Sequence, residues 1–256
     1  MASIELQSGY AMPLLGLGTW QLHDSQCAEV VERALNMGYR HIDTAHMYGN
    51  QEAVGAGFRR SGLNRDEVFI TTKIWRDSLG YDQVLKQFQQ CLDMLQLEYV
   101  DLLLIHWPDD AVPLEETLGA FDQLHAAGQV RSIGVSNFSN EEVDQAQQLA
   151  RVPICVNQLE FHVGEFQEAV WRHCCERQVA LTAHRPLGIG KLADDATLAA
   201  IGMVHGKSAA QVALRWLVQR QIVAIPKASS TAHLQANKDI FSWALDEEQM
   251  QRLDRL

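Results

Sequence analysis

The stretch Val100–Trp107 reads VDLLLIHW. Four apolar residues, Leu102 to Ile105, stand in a row with no polar residue between them. A strand with one wet face would alternate. An unbroken run, too short for a helix, belongs to a strand covered on both faces. His106 is the first polar group after the run, and it falls at the C-terminal end. The following segment, LEETLGAFDQLHAAG (114–128), has helical spacing. VAIP (223–226) repeats the strand character near the end of the chain.

The same alternation extends outward in both directions. Toward the N-terminus, VFITTKI (68–74), HIDTA (41–45) and GLGTW (16–20) read as strands. Between them, YDQVLKQFQQCLDMLQ (81–96), NQEAVGAGFRRSG (50–62) and SQCAEVVERALNMG (25–38) read as helices, the last with Ser25 as cap and Gly38 as stop. Toward the C-terminus, VRSIGVSNF (130–138), ICVNQLE (154–160), VALTAH (179–184) and IVAIPKA (222–228) read as strands. Their partners are NEEVDQAQQLA (140–150), EFQEAVWRHCCERQ (165–178), AAQVALRWLVQRQ (209–221) and the segments 231–240 and 246–256. IELQSG and MPLLG form a short N-terminal hairpin around Ser8 and Gly9. Eight strand–helix units in series predict an α/β fold, a (β/α)8 TIM barrel with the hairpin capping its bottom. No Pro- or Ser-rich linker divides residues 1–256, which predicts a single domain. An open doubly wound sheet is the alternative, and no GxGxxG after an early strand supports it.

The bulk numbers narrow the functional classes. The chain has 256 residues, 47% of them hydrophobic, and a formal net charge of -11. A net acidic surface disfavours nucleic acid. No apolar run approaches the ~18 residues of a membrane helix. Five cysteines with no CxxC spacing point to a reducing, cytoplasmic setting. The N-terminus has neither the basic start nor the apolar core of a signal peptide.

In such a barrel the chemistry sits at the C-terminal ends of the strands. Those ends deliver Asp43 and the following Tyr48, then Lys73, His106, Ser136 with Asn137, Asn157 with Gln158, His184, and Lys227. A free tyrosine has a pKa near ~10 and is a poor acid at neutral pH. A lysine cation beside it lowers that pKa, and an aspartate holds the lysine charged. A histidine can fix a carbonyl oxygen. The set therefore suits proton delivery to an oxygen as charge develops on it. His41 and Asp43 also form an HxD pair, but the further ligands a metal needs are missing. The bland alternatives are a salt-bridged Lys73, an interior His41, core tryptophans, and Ser229 or Ser230 as a helix cap.

The stretches GLGTW, GYRHIDTAHMYGN, VFITTKIW, DLLLIHWP, IGVSNF, NQLE, PLGIGKL and IPKASS occur in this order across nearly the whole chain. They resemble the aldo-keto reductase superfamily, and within it the short bacterial reductases of the 2,5-diketo-gluconate reductase type. The resemblance implies a reductase of small aldehydes, ketones or dicarbonyls that takes hydride from NADPH. It implies Tyr48 as general acid, Lys73 as the residue lowering its pKa, Asp43 as the partner of Lys73, and His106 as the orienter of the carbonyl. Gly18 and Thr19 join the cofactor set, and Ser136, Asn137 and Gln158 hold the nicotinamide carboxamide. His184 stands where an aromatic residue usually stacks on the nicotinamide. Pro186, Leu187 and Gly188 begin a loop over the pyrophosphate. Lys227, Ser229, His233 and Asn237 serve the adenosine end. Trp20, Met47, Trp75 and Trp107 form an apolar substrate wall. No metal, nucleic acid or membrane is implied, and the expected state is a monomer. A regulatory cofactor-binding module, a structural role and a metal-dependent hydrolase are the competing functions.

Four departures qualify the transfer. Ala228 and His233 stand where the family often has the serine and arginine that grip the 2′-phosphate of NADP. A neutral imidazole cannot replace a bidentate guanidinium, so appreciable NADH use is expected. Arg185, in place of a serine, adds a cation that could compensate near the pyrophosphate. Gln51 replaces a frequent glutamate and is expected to alter a hydrogen bond near the mouth. The chain ends at LDRL, without the tail that often folds over the mouth, so an open pocket is expected.

Overall fold

The computed structural model describes residues 2–256. β1 (Ser3–Glu5) and β2 (Ala11–Pro13) pair antiparallel, with Ile4 opposite Met12. Ser8 Oγ lies 2.7 Å from Ser132 Oγ near the start of β7 (Val130–Ser136). Gln7 Nε2 donates to the carbonyl oxygens of Arg177 and Gln178, just before β9 (Ala180–His184). The hairpin thus covers the N-terminal ends of the strands.

Six further strands complete a parallel sheet in strict chain order. They are β3 (Leu17–Gly18), β4 (His41–Asp43), β5 (Phe69–Ile74), β6 (Val100–Ile105), β8 (Ile154–Glu160) and β10 (Val223–Ala224). Leu15 bridges Ala224 in parallel register, and Ala224 N donates to Leu14 O at 2.9 Å while Gly16 N donates to Ala224 O at 2.9 Å. These bonds close the ring, so the eight-stranded parallel sheet has no free edge. Gly18 is required at the seam, because a Cβ there would stand 2.5 Å from Ile225 O. Residues 102–105 of the opening stretch are fully buried between the barrel interior and the helices.

The outer layer comprises α1 (Asp24–Asn36), α2 (Gln51–Ser61), α3 (Tyr81–Leu95), α4 (Leu114–Ala126), α5 (Asn140–Leu149), α6 (Glu168–Glu176), α7 (Ala196–His205), α8 (Ala209–Gln219), α9 (Thr231–Lys238) and α10 (Glu247–Asp254). Several details differ from the sequence expectation; β10, expected over 222–228, keeps only Val223 and Ala224. The first barrel strand keeps only Leu17 and Gly18, because Thr19 turns away and its Oγ1 donates to Asp43 O at 2.9 Å. α1 begins one residue before Ser25, with His23 in the cap position and no side-chain cap. α7 is an added helix after a 3-10 segment at Gly188–Asp194. Its sequence, ATLAAIGMVH, is apolar on nearly every side, so no amphipathic period marks it.

Candidate active site

Most of the residues nominated at the strand ends converge on one mouth; Asn157 faces the other side of β8 from Gln158, and its Nδ2 donates to Phe138 O at 3.0 Å. Lys73 Nζ, fully buried, lies 2.5 Å from Asp43 Oδ1. It also donates to Thr44 O at 2.9 Å and to Tyr48 OH at 3.1 Å. All three ammonium protons therefore have acceptors, which is what a buried cation requires. Asp43 Oδ2 accepts from Gln158 Nε2 at 2.8 Å.

Tyr48 rides on a 3-10 turn, His46–Tyr48, that ends at Gly49 with φ 65. Asn50 pins this turn from below. Its Nδ2 donates to Thr19 O at 2.8 Å and Leu22 O at 3.0 Å, and its Oδ1 accepts from Thr44 Oγ1 at 3.0 Å. Neither Asn50 nor Thr44 was singled out from sequence. Both act through backbone carbonyls, which no residue pattern displays, although Gly49–Asn50 is a turn signal.

Burial pushes the Tyr48 phenol above its ordinary value, and the nearby Asp43 charge adds to this. The Lys73 cation and its hydrogen bond pull the other way without reversing the direction. Lys73 thus lowers the phenol from where burial alone would hold it, while the net direction stays upward. Burial opposes the charged form of Lys73, but Asp43, Tyr48 and their hydrogen bonds outweigh it and hold Lys73 above its ordinary value.

His106 follows β6 directly. Burial, with Lys73 and His184 nearby, pushes its pKa down to about 2. It is therefore neutral near pH 7. Its Nδ1 is buried with no partner. A proton there would be an unmatched buried donor, so the tautomer with hydrogen on Nε2 is favoured. The ring sits edge-on to Tyr48 at 5.6 Å and to Trp75 at 4.9 Å between centroids. Trp20 lies 4.9 Å from the Tyr48 ring. Trp20, Met47 and Trp107 are exposed at the rim, and Trp75 is half-buried. Trp20 and Trp75 thus form an aromatic wall beside the phenol and the imidazole.

The other side of the mouth carries amides. Ser136 Oγ donates to Gln158 O at 2.8 Å. Asn137, in the left-handed region with φ 63, donates from Nδ2 to His106 O at 2.9 Å and to Ser136 Oγ at 3.0 Å. His184 Nε2 lies 3.0 Å from Asn137 Oδ1. Burial, then the cations of Lys73 and Arg185, push His184 down to about 3, so it too is neutral and presents a flat ring. This donor and acceptor set fits a carboxamide and an adjoining aromatic ring, the polar end of a nicotinamide.

Arg185 is also in the left-handed region, with φ 50, and its Nη1 donates to Glu160 Oε2 at 2.8 Å. The guanidinium expected to serve the pyrophosphate is thus already paired, at a half-exposed site. Glu160 is a residue that sequence reasoning missed. Pro186 and Leu187 lead from Arg185 into the 3-10 segment at Gly188. Lys227, Ser229 and His233 are exposed past β10, Asn237 is buried in α9, and Ala228 is buried. Ser230 caps α9 by accepting from His233 N at 3.2 Å. Gln51 does not reach the mouth. Its Nε2 donates to Thr72 Oγ1 at 2.6 Å in the layer between β5 and α2. His41 is an interior residue, with Nε2 3.2 Å from Thr71 Oγ1. Among the described residues no three His, Cys, Asp or Glu side chains gather as a metal site.

Comparison with known proteins follows this geometry. The family model described as the Aldo/keto reductase family matches residues 14–256. A glyoxal reductase from Bacillus subtilis is 39% identical over 255 residues, 99% of this chain and 92% of its own. A solved structure described as a putative 2,5-diketo-D-gluconic acid reductase B superposes with a TM-score of 0.97 at 37% identity, covering 100% of this chain and 91% of that one. An aldo-keto reductase from Bombyx mori, solved in complex with NADP, gives 0.93 at 31% identity, covering 99% and 92%. The chain belongs to the aldo/keto reductase family. It is an NAD(P)H-dependent oxidoreductase of the carbonyl-reducing class. Among the described residues no helix is long and apolar enough to cross a membrane.

Proposed function

We propose that the protein reduces small aldehydes and dicarbonyls, of the glyoxal, methylglyoxal or keto-sugar type, with Tyr48 as proton donor. The observation that carries this reading is the simultaneous contact of Lys73 Nζ with Asp43 Oδ1 and Tyr48 OH beside the aromatic wall. A bound nicotinamide supplies the hydride. Ser136, Asn137 and Gln158 would hold its carboxamide, and His184 would lie against its ring. Gly18 and Thr19 would join them in holding the cofactor. Pro186 to Gly188 would border the pyrophosphate, and Lys227, Ser229, His233 and Asn237 the adenosine end.

His106 donates from Nε2 to the substrate oxygen and fixes it beside Tyr48. Tyr48 gives its proton to that oxygen as negative charge develops there. The phenolate left behind keeps the Lys73 hydrogen bond, and Asp43 balances the lysine charge. The neutrality of His106 matters, because a second cation beside Lys73 would compete for the same electrons.

The open rim at Trp20, Met47 and Trp107 and the likeness to the Bacillus subtilis glyoxal reductase support small substrates. We assign NADPH as the cofactor with substantial use of NADH, since Ala228 offers no hydroxyl and His233 no guanidinium to a 2′-phosphate. A reducing, cytoplasmic setting fits the four buried free thiols. The experiment is NADPH and NADH oxidation with a panel of small carbonyls, with Tyr48→Phe as control. The expected result is turnover with both cofactors and a loss of about 100- to 10,000-fold in kcat on removing the hydroxyl. Full activity in Tyr48→Phe would remove Tyr48 from the role.

A further inference from the structure

β4 and β8 stand four places apart in a ring of eight strands, so they face each other across the barrel axis. Gln158 reaches from β8 across that axis and donates from Nε2 to Asp43 Oδ2. The two oxygens of Asp43 are thus divided between Lys73 and Gln158. Gln158 is almost wholly buried, and its backbone carbonyl accepts from both Asn137 N and Ser136 Oγ. One residue therefore touches both the amide cluster and the Asp43–Lys73–Tyr48 chain.

We infer that Gln158 is a positioning residue for proton delivery, acting through Asp43 and Lys73 on the Tyr48 hydroxyl. The inference rests on the proposed role of Tyr48. Its physical content is simple. A hydrogen bond donated to a carboxylate draws charge away from its other oxygen. Without that donor the full Asp43 charge acts on Lys73 and, across it, on the phenol. Lys73 is held more tightly to Asp43, the phenol holds its proton more strongly, and delivery slows. An amide nitrogen carries two protons, so one can stay on Asp43 while the other meets a bound carboxamide.

The charged and titratable groups around this chain come from several elements. Lys73 faces Asp43 from β5, and His41 lies below on β4 itself. His106 and His184 approach from the ends of β6 and β9, and the Arg185 cation is felt at Tyr48. His41 is held down to about 4, and His106 and His184 lower still, so none of the three titrates near neutrality.

Gln158→Glu provides a test that a merely structural role would not answer. The introduced carboxyl would lie against Asp43 Oδ2. Two carboxylates in contact share a proton, and one of them titrates well above the ordinary glutamate range. While protonated, the new group still donates to Asp43. Carbon-13 NMR of labelled glutamate in the cofactor-free protein reads this ionisation directly. The expected result is a raised midpoint, with kcat/KM falling about tenfold or more as pH rises through it. At saturating cofactor the fall should persist in kcat, which a change in cofactor affinity alone would not produce. Gln158→Leu lacks the donor at every pH, so it should lose about tenfold in kcat/KM without a new ionisation.

An ordinary glutamate titration of the introduced carboxyl would place it away from Asp43 and overturn the inference. So would variants in which only cofactor affinity changes and kcat does not. A Tyr48→Phe enzyme with full activity would instead remove the underlying reading, which keeps the two failures distinct.

Discussion

Lys73→Met places the Asp43–Lys73 pair under a direct test of stability. Both side chains are almost wholly buried, at 0% and 2% exposure. Methionine fills much of the lysine volume, so the main change is a buried carboxylate without its cation. Breaking a buried pair in this way costs about 3–5 kcal/mol. Gln158 still donates to Asp43 Oδ2, which favours the lower end, about 3 kcal/mol. In a barrel of this size that corresponds to a fall in Tm of roughly 6–12 °C.

The double variant Asp43→Asn with Lys73→Met removes both charges. It should recover about 2 kcal/mol relative to the sum of the single changes. The folded pKa of Lys73 is raised above its unfolded value near ~10.4. The lysine contribution is therefore fully present below that pH and is lost only as pH rises through the folded pKa. Urea unfolding followed by circular dichroism at about pH 7 and above pH ~10 measures both effects. A single-variant cost below about 1 kcal/mol, or strict additivity in the double, would refute the reasoning.

Two buried histidines and a half-buried one make acid the weak side of this fold. His41 is held to about 4, His106 to about 2 and His184 to about 3, in each case chiefly by burial. Below about pH 6.5 the unfolded chain takes up protons that the native state refuses. Stability should therefore fall progressively as pH drops from about 6.5, which urea midpoints at about pH 7 and pH 5 will show. For the same reason no histidine limb should appear in kcat/KM between about pH 5 and 9, and a limb near 6.5 that vanishes in His106→Gln would contradict the buried neutral state. His233 is exposed at the start of α9. His233→Arg should tighten NADPH about tenfold at neutral pH and leave NADH nearly unchanged, and equal gains for both cofactors would place the residue away from the 2′-phosphate.

The sequence alone determined the strand–helix alternation, because a strand covered on both faces must be apolar throughout, as Leu102–Ile105 are. Reading the polar residue after each run then nominated Asp43, Lys73, His106, Asn137 and His184, because a parallel barrel puts all such ends on one face. α7 stayed hidden because its apolar residues surround the helix and leave no period to detect. Asn50, Thr44 and Glu160 stayed hidden because their roles depend on which backbone or side chain lies opposite. The tertiary structure decided the electrostatics. Sequence places a lysine near a tyrosine, but only burial shows that desolvation outweighs the lysine at Tyr48. Sequence supplies Arg185 as a cation, but only the adjacency of β8 and β9 pairs it with Glu160. Sequence separates Gln158 from Asp43 by 115 positions, and only closure of the ring brings them together on the axis. Short-range patterns record which face of an element is wet. Contacts across a barrel depend on where the chain returns, and no local pattern encodes that distance.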